Sequence, residues 1–394
     1  NNVPTFHLKW FTCSWEQRKL GDGLIKEYDE RTIKEDQYPV LSSTMSGIYF
    51  QSDYFNQEVS TITNKGYKAV PLNFVTYRSM SDTDVFHFNV QNIVEKGIVS
   101  PAYPVFSTIN NVTNNYFLTY QMNESLYFYK QLQIAKEGGT RYALSYTKLC
   151  KLCVYIPTYI EQEKIASFFL ILDTLITLHQ RKCDALTNIK KSLLEKMFPT
   201  NDDDKPRIRF KGFTEAWEQR RLNNYLDVSV EANNDLAFDK SDVLSVSGDF
   251  GVVNQIEFQG RSFAGESVLN YSVLRKHQVV YTKSPLKANP YGIIKTNKGK
   301  DGIVSVLYGV YQPKENVCSE LIQTYFEQDA RLNNYLKPLV NKGAKNTLLI
   351  SDEAAINGEI TFPKQYEEQV KIYRLFDRLD TLITLHQRYK YEGD

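Results

Sequence analysis

The sequence has almost no net charge, few cysteines and no long apolar run. Lys and Arg number 47 against 46 Asp and Glu, a formal net charge of +1. That balance excludes a histone-like polycation, so any nucleic-acid surface must be local and offset by acids elsewhere. No stretch approaches the ~20 consecutive apolar residues of a membrane-spanning helix. No basic segment leading into an apolar core opens the chain in the manner of a secretory leader. The expectation is a soluble cytoplasmic protein with no membrane partner. The five cysteines (Cys13, Cys150, Cys153, Cys183 and Cys318) are odd in number and scattered, which fits free thiols better than a disulfide frame. The phosphate-cradling G-x-x-x-x-G-K-[ST] loop is missing, and so is a G-x-G-x-x-G turn opening a helix.

What is present argues for folded domains. The chain has 394 residues, 42% hydrophobic and 13% aromatic, too much apolar material at too low a net charge for disorder. At roughly 100–200 residues per domain, two to four domains fit this length.

The chain contains itself twice. Leu172-Asp-Thr-Leu-Ile-Thr-Leu-His-Gln-Arg181 recurs without change at Leu379–Arg388, 379 − 172 = 207 positions later. Phe11-Thr-Cys-Ser-Trp-Glu-Gln-Arg-Lys-Leu20 returns as Phe213-Thr-Glu-Ala-Trp-Glu-Gln-Arg-Arg-Leu222, with Pro4 matching Pro206. Gly97-Ile-Val-Ser100 answers Gly302-Ile-Val-Ser305 at an offset of 205, and that offset sets Arg78-Ser79 against Lys283-Ser284. Collinear matches with small insertions mean a tandem duplication of one unit of about 200 residues, a period too long for a solenoid. The edges are nearly identical and the middles have diverged except at islands. Constant edges with altered middles suggest one scaffold carrying two different reading surfaces; drift under packing constraint is the plainer alternative.

Each copy ends in a helical pattern. Ile165, Phe168, Leu172, Leu175, Leu186, Ile189 and Leu193 fall at alternating steps of three and four, a heptad-like seam. A helix over 161–198 would be about 55 Å long and needs a partner. The second copy supplies Ile372, Leu375, Leu379 and Leu382. Two near-identical helices can pack isologously about a pseudo-two-fold axis, and the expected arrangement is antiparallel. His179 and His386 take equivalent seam positions and read as an interfacial pair that sets register, with metal binding or a pH role as the sharper alternative. After Arg181 the first pattern runs 17 residues to Phe198, whereas six follow Arg388, so the second helix is expected to be about 16 Å shorter.

The middles read as strands and turns: 40–41, 48–50, 68–77, 85–90 and 116–120, then 243–246, 252–258, 278–282 and 303–311, punctuated by Gly, Asn, Asp, Ser and Pro. The segment 198–206 reads as the linker between copies. The fold class is therefore α+β, each repeat a β-rich lobe followed by a long helix.

Four further features bear on chemistry. Between 275 and 300 lie Arg275, Lys276, Lys283, Lys287, Lys295, Lys298 and Lys300 and no acid, with Tyr281, Ser284 and Tyr291 interleaved. Such a run can neutralise phosphates while hydroxyls add hydrogen bonds; a solvated loop is the ordinary reading. Lys65, Lys68, Tyr77, Arg78 and Ser79 make a weaker counterpart in the first copy, and Arg78 could read guanine bidentately. Asn289-Pro-Tyr291 is a faint echo of an amino-methyltransferase motif without its second proline or a Gly-rich cofactor turn. Cys150-Lys-Leu-Cys153 would be half a zinc site, but with no second ligand pair at finger-like spacing it reads as two core thiols. Trp15 and Trp217 read as residues packing each lobe on its scaffold. No metal site and no catalytic residue are assigned.

The doubled set F-T-x-x-W-E-Q-R-[KR]-L, G-I-V-S-x-x-Y-x-V and E-Q-x-K-I (E-Q-V-K-I in the second copy) followed by L-D-T-L-I-T-L-H-Q-R resembles the DNA-specificity subunit of type I restriction–modification enzymes. The resemblance covers essentially the whole chain. It implies two target-recognition domains related by pseudo-two-fold symmetry and separated by a long antiparallel two-helix coiled coil that measures an unspecified spacer. The implied division is 1–157 and 201–363 for the recognition domains, with helical segments at 158–200 and 364–394. Carried over, 161–198 and 367–389 become the spacer helices, 49–146 and 252–347 the variable readers. The implied function is non-catalytic: binding a bipartite sequence in double-stranded DNA and directing adenine methylation and restriction by partners. Those partners would be two methyltransferase subunits carrying S-adenosylmethionine and restriction subunits using ATP and Mg. A stand-alone methyltransferase, a scaffold that never touches DNA, and a decoy subunit stay open as alternatives.

Overall fold

The computed structural model describes residues 14–54, 63–138, 141–199, 203–265, 267–342 and 348–391. Cys13 and the start of the first F-T-x-x-W motif lie outside the described residues. The chain divides into two compact units, 1–175 and 176–394.

The first unit opens with β1 (Glu16–Lys19), β2 (Ile25–Glu27), β3 (Leu41–Thr44), β4 (Gly47–Phe50), α1 (Gln51–Tyr54), β5 (Lys68–Pro71), β6 (Val75–Tyr77) and β7 (Met80–Ser81). It continues with β8 (Phe88–Val90), β9 (Lys96–Val99), β10 (Val105–Thr108), α2 (Asn115–Glu124), α3 (Leu126–Ala135), β11 (Tyr142–Ala143), α4 (Tyr146–Leu149), β12 (Cys153–Ile156) and the first turns of α5 (Tyr159–Lys196). A four-stranded antiparallel sheet runs in the order β2-β10-β6-β8, with β1-β12, β3-β4, β5-β9 and β7-β11 as separate pairs. Its core is aromatic: Tyr77 and Phe88 rings sit 4.8 Å apart and Phe88 lies 6.1 Å from Phe128. A smaller cluster of Leu41, Ile48, Val70, Val99 and Val105 lies under the β3-β4 hairpin.

The second unit holds β13 (Glu218–Arg221), β14 (Leu226–Val228), β15 (Leu244–Ser247), β16 (Gly251–Asn254), α6 (Gln255–Gln259), β17 (Ser272–Leu274), β18 (Val279–Thr282), β19 (Ile294–Thr296) and β20 (Gly302–Val304). Then come β21 (Tyr308–Pro313), α7 (Ser319–Tyr325), α8 (Asp329–Leu336), β22 (Asn341–Lys342), β23 (Leu348–Leu349), α9 (Asp352–Ala355), β24 (Glu359–Phe362) and α10 (Tyr366–Tyr391). The sheet β14-β21-β18-β19 and the pairs β13-β24, β15-β16 and β17-β20 repeat the order of the equivalent strands in the first unit. The duplication read from the sequence is thus a duplication of topology, in a mixed α/β chain of small sheets with two long helices.

Glycine at the shared G-I-V-S islands has a steric cause. Gly97 on β9 faces Leu41, and Gly302 on β20 faces the Asp242 carbonyl and Leu244; a Cβ at either site would overlap those atoms. The hairpin base crosses the island in both units, bridging Val40 to Ile98 and Val243 to Ile303. The island is a seat for a hairpin.

Several expectations shift. The run 116–120, expected as a strand, is helix α2. Asn114 caps it, its Oδ1 accepting from Phe117 N at 3.0 Å, and Phe117, Leu118 and Met122 share its buried face. The run 68–77 breaks into β5 and β6 at Asn73, whose φ is 66°, a turn conformation that Asn tolerates. The run 252–258 leaves the strand at Asn254, which caps α6, and 303–311 splits into β20 and β21. Strand pairing also moves one equivalence: Phe106 faces Val75 on β6 and Tyr311 faces Val279 on β18. Tyr77 therefore matches Tyr281, Arg78 matches Thr282, and Ser79, not Arg78, is the counterpart of Lys283.

Of the cysteines described, Cys183 and Cys318 are buried and Cys150 and Cys153 half-buried, all free thiols; burial pushes Cys150 above the usual thiol range. Among the described residues no three His, Cys, Asp or Glu converge as metal ligands, and no helix is long and apolar enough to cross a membrane.

Candidate nucleic-acid interface

The duplicated edges act as latches. In the first unit Trp15 Nε1 donates to Glu161 Oε1 at 3.3 Å, in the first turn of α5. The next residue, Gln162, accepts from Asn114 N at 2.9 Å and donates to Val112 O and Pro157 O, each at 3.0 Å. The second unit repeats this: Trp217 Nε1 donates to Glu368 Oε1 at 3.3 Å, and Gln369 accepts from Cys318 N and donates to Pro363 O, both at 2.9 Å. Arg209 adds a bidentate pair to Glu368 at 2.7 and 2.8 Å; residue 7, its counterpart in the first copy, lies outside the described residues. The expected scaffold role of both tryptophans is what the geometry provides.

The helical seam is asymmetric. Ile372 and Leu379 are buried, with Leu375 and Leu382 half-buried. Three contacts tie α10 to the later part of α5: His179 to His386, Lys190 to Asp380, and Phe198 to Phe376. Going forward along α5 goes backward along α10. Ile165 packs against the core of the first unit, whereas Phe168, Leu172 and Leu175 stand exposed. Leu172 is 36% exposed and Leu379, in the same decapeptide, 8%. The expected seam thus corrects to the later turns of α5, where Leu186, Leu193, Leu194, Met197 and Phe198 join the core that also holds Ile372 and Phe376.

At the heart of that packing Lys190 sits between Glu327 at 2.7 Å and Asp380 at 2.5 Å. Burial disfavours the ammonium, but the two carboxylates outweigh it and raise its pKa. Burial in turn lifts Asp380 above the ordinary carboxylate range despite Lys190.

The basic residues chosen from sequence divide sharply. Tyr77 is fully buried, its hydroxyl donating to Leu144 O at 3.1 Å; it is a core residue and cannot reach a groove. Lys68 is buried on β5 and paired with Asp29 at 3.2 Å. Ser79 Oγ donates to Ala102 O at 2.5 Å, tying the end of β6 to the turn after β9. Arg78 is exposed, 3.5 Å from Asp82, and lines a cleft of about 600 Å³ with Met45, Tyr54 and Met80. Lys65 stands exposed.

In the second unit the 275–300 run is not one basic surface. Arg275 is bracketed by Glu231 and by Asp301 at 3.2 Å, and both hydrogen bonds push its pKa up. Lys283 is paired with Asp352 at 2.9 Å and Lys298 with Asp377 at 3.5 Å. Lys295 is half-buried, and burial pulls its pKa down. Tyr281 is core. Lys276, Ser284, Lys287 and Lys300 are exposed, and among the described residues these three lysines make no ion pair. Every acid that quenches the run comes from outside it. Lys295 and Lys298 line a cleft of about 1010 Å³ together with Lys190, Lys191 and Phe250.

No protein-family model matches this chain, and no curated protein matches it by sequence. Among solved structures it is similar to the type I restriction-modification system S subunit from M. genitalium, at 11% identity over 97% of this chain and 93% of the other, with a TM-score of 0.56. Weaker similarities join it to a chain from a structural study of complex assembly and conformational transition of the type I R-M system (TM-score 0.42, 14% identity, 96% and 93% covered) and to the HsdS subunit from Thermoanaerobacter tengcongensis (0.41, 15%, 95% and 91%). The resemblance first drawn from the doubled motifs therefore holds along the length of the chain at the level of architecture: this protein has the fold of the M. genitalium type I S subunit.

Proposed function

We propose that this chain is a non-catalytic specificity subunit of a type I restriction–modification system, reading a bipartite sequence in double-stranded DNA and directing adenine methylation and restriction by partner subunits. The observation that carries it is the full-length fold shared with an S subunit, combined with two lobes of one topology whose middle sequences have diverged. In this reading the lobes, 1–157 and 201–363, are target-recognition domains related by a pseudo-two-fold axis. The segments 158–200 and 364–394 form an antiparallel coiled coil that measures the spacer, supported by the opposed order of contacts from His179–His386 to Phe198–Phe376. A pseudo-two-fold protein suits a duplex whose backbone has local two-fold symmetry. The duplicated edges would give two equivalent docking surfaces, hence two methyltransferase subunits. S-adenosylmethionine would reside in those subunits, ATP and Mg in the restriction subunits, and the assembly works in the cytoplasm on DNA.

Phosphate contacts fall to the exposed cations: Lys65 and Arg78 in one lobe, Lys276, Lys287 and Lys300 in the other. The test is co-expression with a methyltransferase subunit followed by mapping of methylated adenines. Methylation confined to one bipartite site, with no transfer by the purified chain alone, is expected. Robust transfer by the chain alone would refute the reading in favour of a stand-alone methyltransferase, and methylation unaffected by exchange of a lobe would favour a scaffold.

A further inference from the structure

Both lobes present the same device at a place where the sequences have diverged. In the first, the β3-β4 hairpin carries Met45 at its tip, 58% exposed, and Tyr49 of β4 meets Tyr54 of α1 with ring centroids 5.7 Å apart. In the second, the β15-β16 hairpin carries Phe250 at its tip, 67% exposed, and Phe250 meets Phe258 of α6 at 5.2 Å. All of these rings face water. An exposed aromatic pair in one lobe would be an accident of surface; a pair bridging the hairpin to the short helix after it in both lobes, from strand residue Tyr49 in the first and turn residue Phe250 in the second, is a recurring feature.

The hairpins are held firmly at their bases and left bare at their tips. Leu41 and Leu244 are buried where each hairpin crosses the G-I-V-S island. Gly47 and Gly251, with φ of 127° and 72°, close the turns in conformations that only glycine adopts readily. Asn254 fixes the helix beside the second tip, its Oδ1 accepting from Ile256 N at 3.0 Å and Glu257 N at 3.2 Å. Charges of both signs lie alongside: Arg78, paired with Asp82, shares a cleft with Met45 and Tyr54, and the exposed Lys191 shares one with Phe250, where Lys190 is already held by Glu327 and Asp380. An exposed apolar tip on an anchored hairpin is the chemistry of a wedge that meets base edges or an opened base step, with the exposed Arg78 and Lys191 in the same clefts to hold phosphates.

We propose that the two hairpin tips are the base-reading elements of this protein, Met45 with Tyr49 and Tyr54 in the first lobe and Phe250 with Phe258 in the second, entering a groove of duplex DNA by apolar contact. This rests on the specificity-subunit reading above and names the part of each lobe that discriminates. The constant islands position the tips; the variable residues on them differ, Tyr with a polar edge in one lobe and Phe without one in the other, so the half-sites differ.

The test is selection from a pool of duplexes of randomised sequence by the full chain and by Phe250→Ala, Phe258→Ser and the double variant Met45→Ala/Tyr49→Ala. The wild type should enrich a two-part motif. Phe250→Ala and Phe258→Ser should flatten one part only, and the double variant the other, with roughly tenfold weaker binding to the wild-type motif, as expected when an aromatic base contact is lost. Unfolding midpoints should stay near wild type, since the replaced side chains are exposed. Variants that enrich the wild-type motif with affinity within about twofold would overturn the proposal, as would a uniform loss on all sequences or a defect confined to methyltransferase binding. If the wild type itself enriches no motif, the specificity-subunit reading fails first, a distinguishable result that removes the basis of this proposal as well.

Discussion

His179 Nδ1 lies 2.8 Å from His386 Nδ1, joining the same position of two identical decapeptides. A hydrogen bond at that distance requires one nitrogen to donate and the other to accept. A doubly protonated pair instead sets two N–H groups and two charges against each other. Burial first, then Lys182 and His179, hold His386 below the ordinary imidazole value of 6.5.

That relationship gives a signed pH effect. A histidine whose folded pKa is depressed binds its proton more readily when unfolded, so stability is intact above about 6.5 and declines as pH falls towards the folded value. His87, which burial also depresses, contributes in the same window. Urea unfolding at pH 7.5, 6 and 5 should show the decline, and His386→Gln should make it shallower. An unchanged slope in the variant would remove the pair from the account.

The latches should differ in strength. Glu368→Gln leaves Arg209 facing a neutral amide in a nearly closed site, and losing one partner of such a pair costs about 3–5 kcal/mol. Glu161→Gln should cost only about 1 kcal/mol if Trp15 is its main partner. Denaturant midpoints for the two variants check the order. Glu161→Gln as costly as Glu368→Gln would mean that a cation serves Glu161 as Arg209 serves Glu368.

The glycine seats carry a stability prediction. Gly302→Ala drives a methyl into the Asp242 carbonyl and Leu244, and Gly97→Ala into the Leu41 side chain. Overpacking of this kind costs about 1–3 kcal/mol. Gly302→Ala should be the worse, because a backbone carbonyl yields less than a leucine terminus. Thermal unfolding of both variants decides it.

Salt dependence separates paired from free cations. Lys287→Ala should weaken DNA binding and flatten the salt slope by up to about one phosphate contact. Arg275→Ala should leave the slope nearly unchanged, since Glu231 and Asp301 already claim its charge. Fluorescence anisotropy titrations across a range of salt concentrations measure both.

Much of the architecture was legible because duplication makes a sequence its own comparison. The repeated decapeptide announced the helices, and the repeated tryptophans announced the latches. The basic run misled because charge neutralisation is largely tertiary: Asp301 stands directly after the run, but Glu231, Asp352 and Asp377 are distant in sequence and nothing local signals their approach. Tyr77 looked like a groove reader because strand ends and cores draw on the same aromatics. The helix at 115–124 hid in a run of aromatics and β-branched neighbours that Asn114 overrules. The hairpin tips escaped notice for a different reason. Met45 and Phe250 share a place but no chemistry, so a search for matching residues passes over them.

The Trp15–Glu161 and Trp217–Glu368 latches make the lobes interchangeable parts. Each joins a lobe to the helix that follows it through one indole, one carboxylate and a few backbone groups, so the side chains between tryptophan and glutamate can change widely while the fastening keeps its form. On the function proposed above, a new pairing of half-sites would need no new joinery, only new side chains on a lobe already fastened.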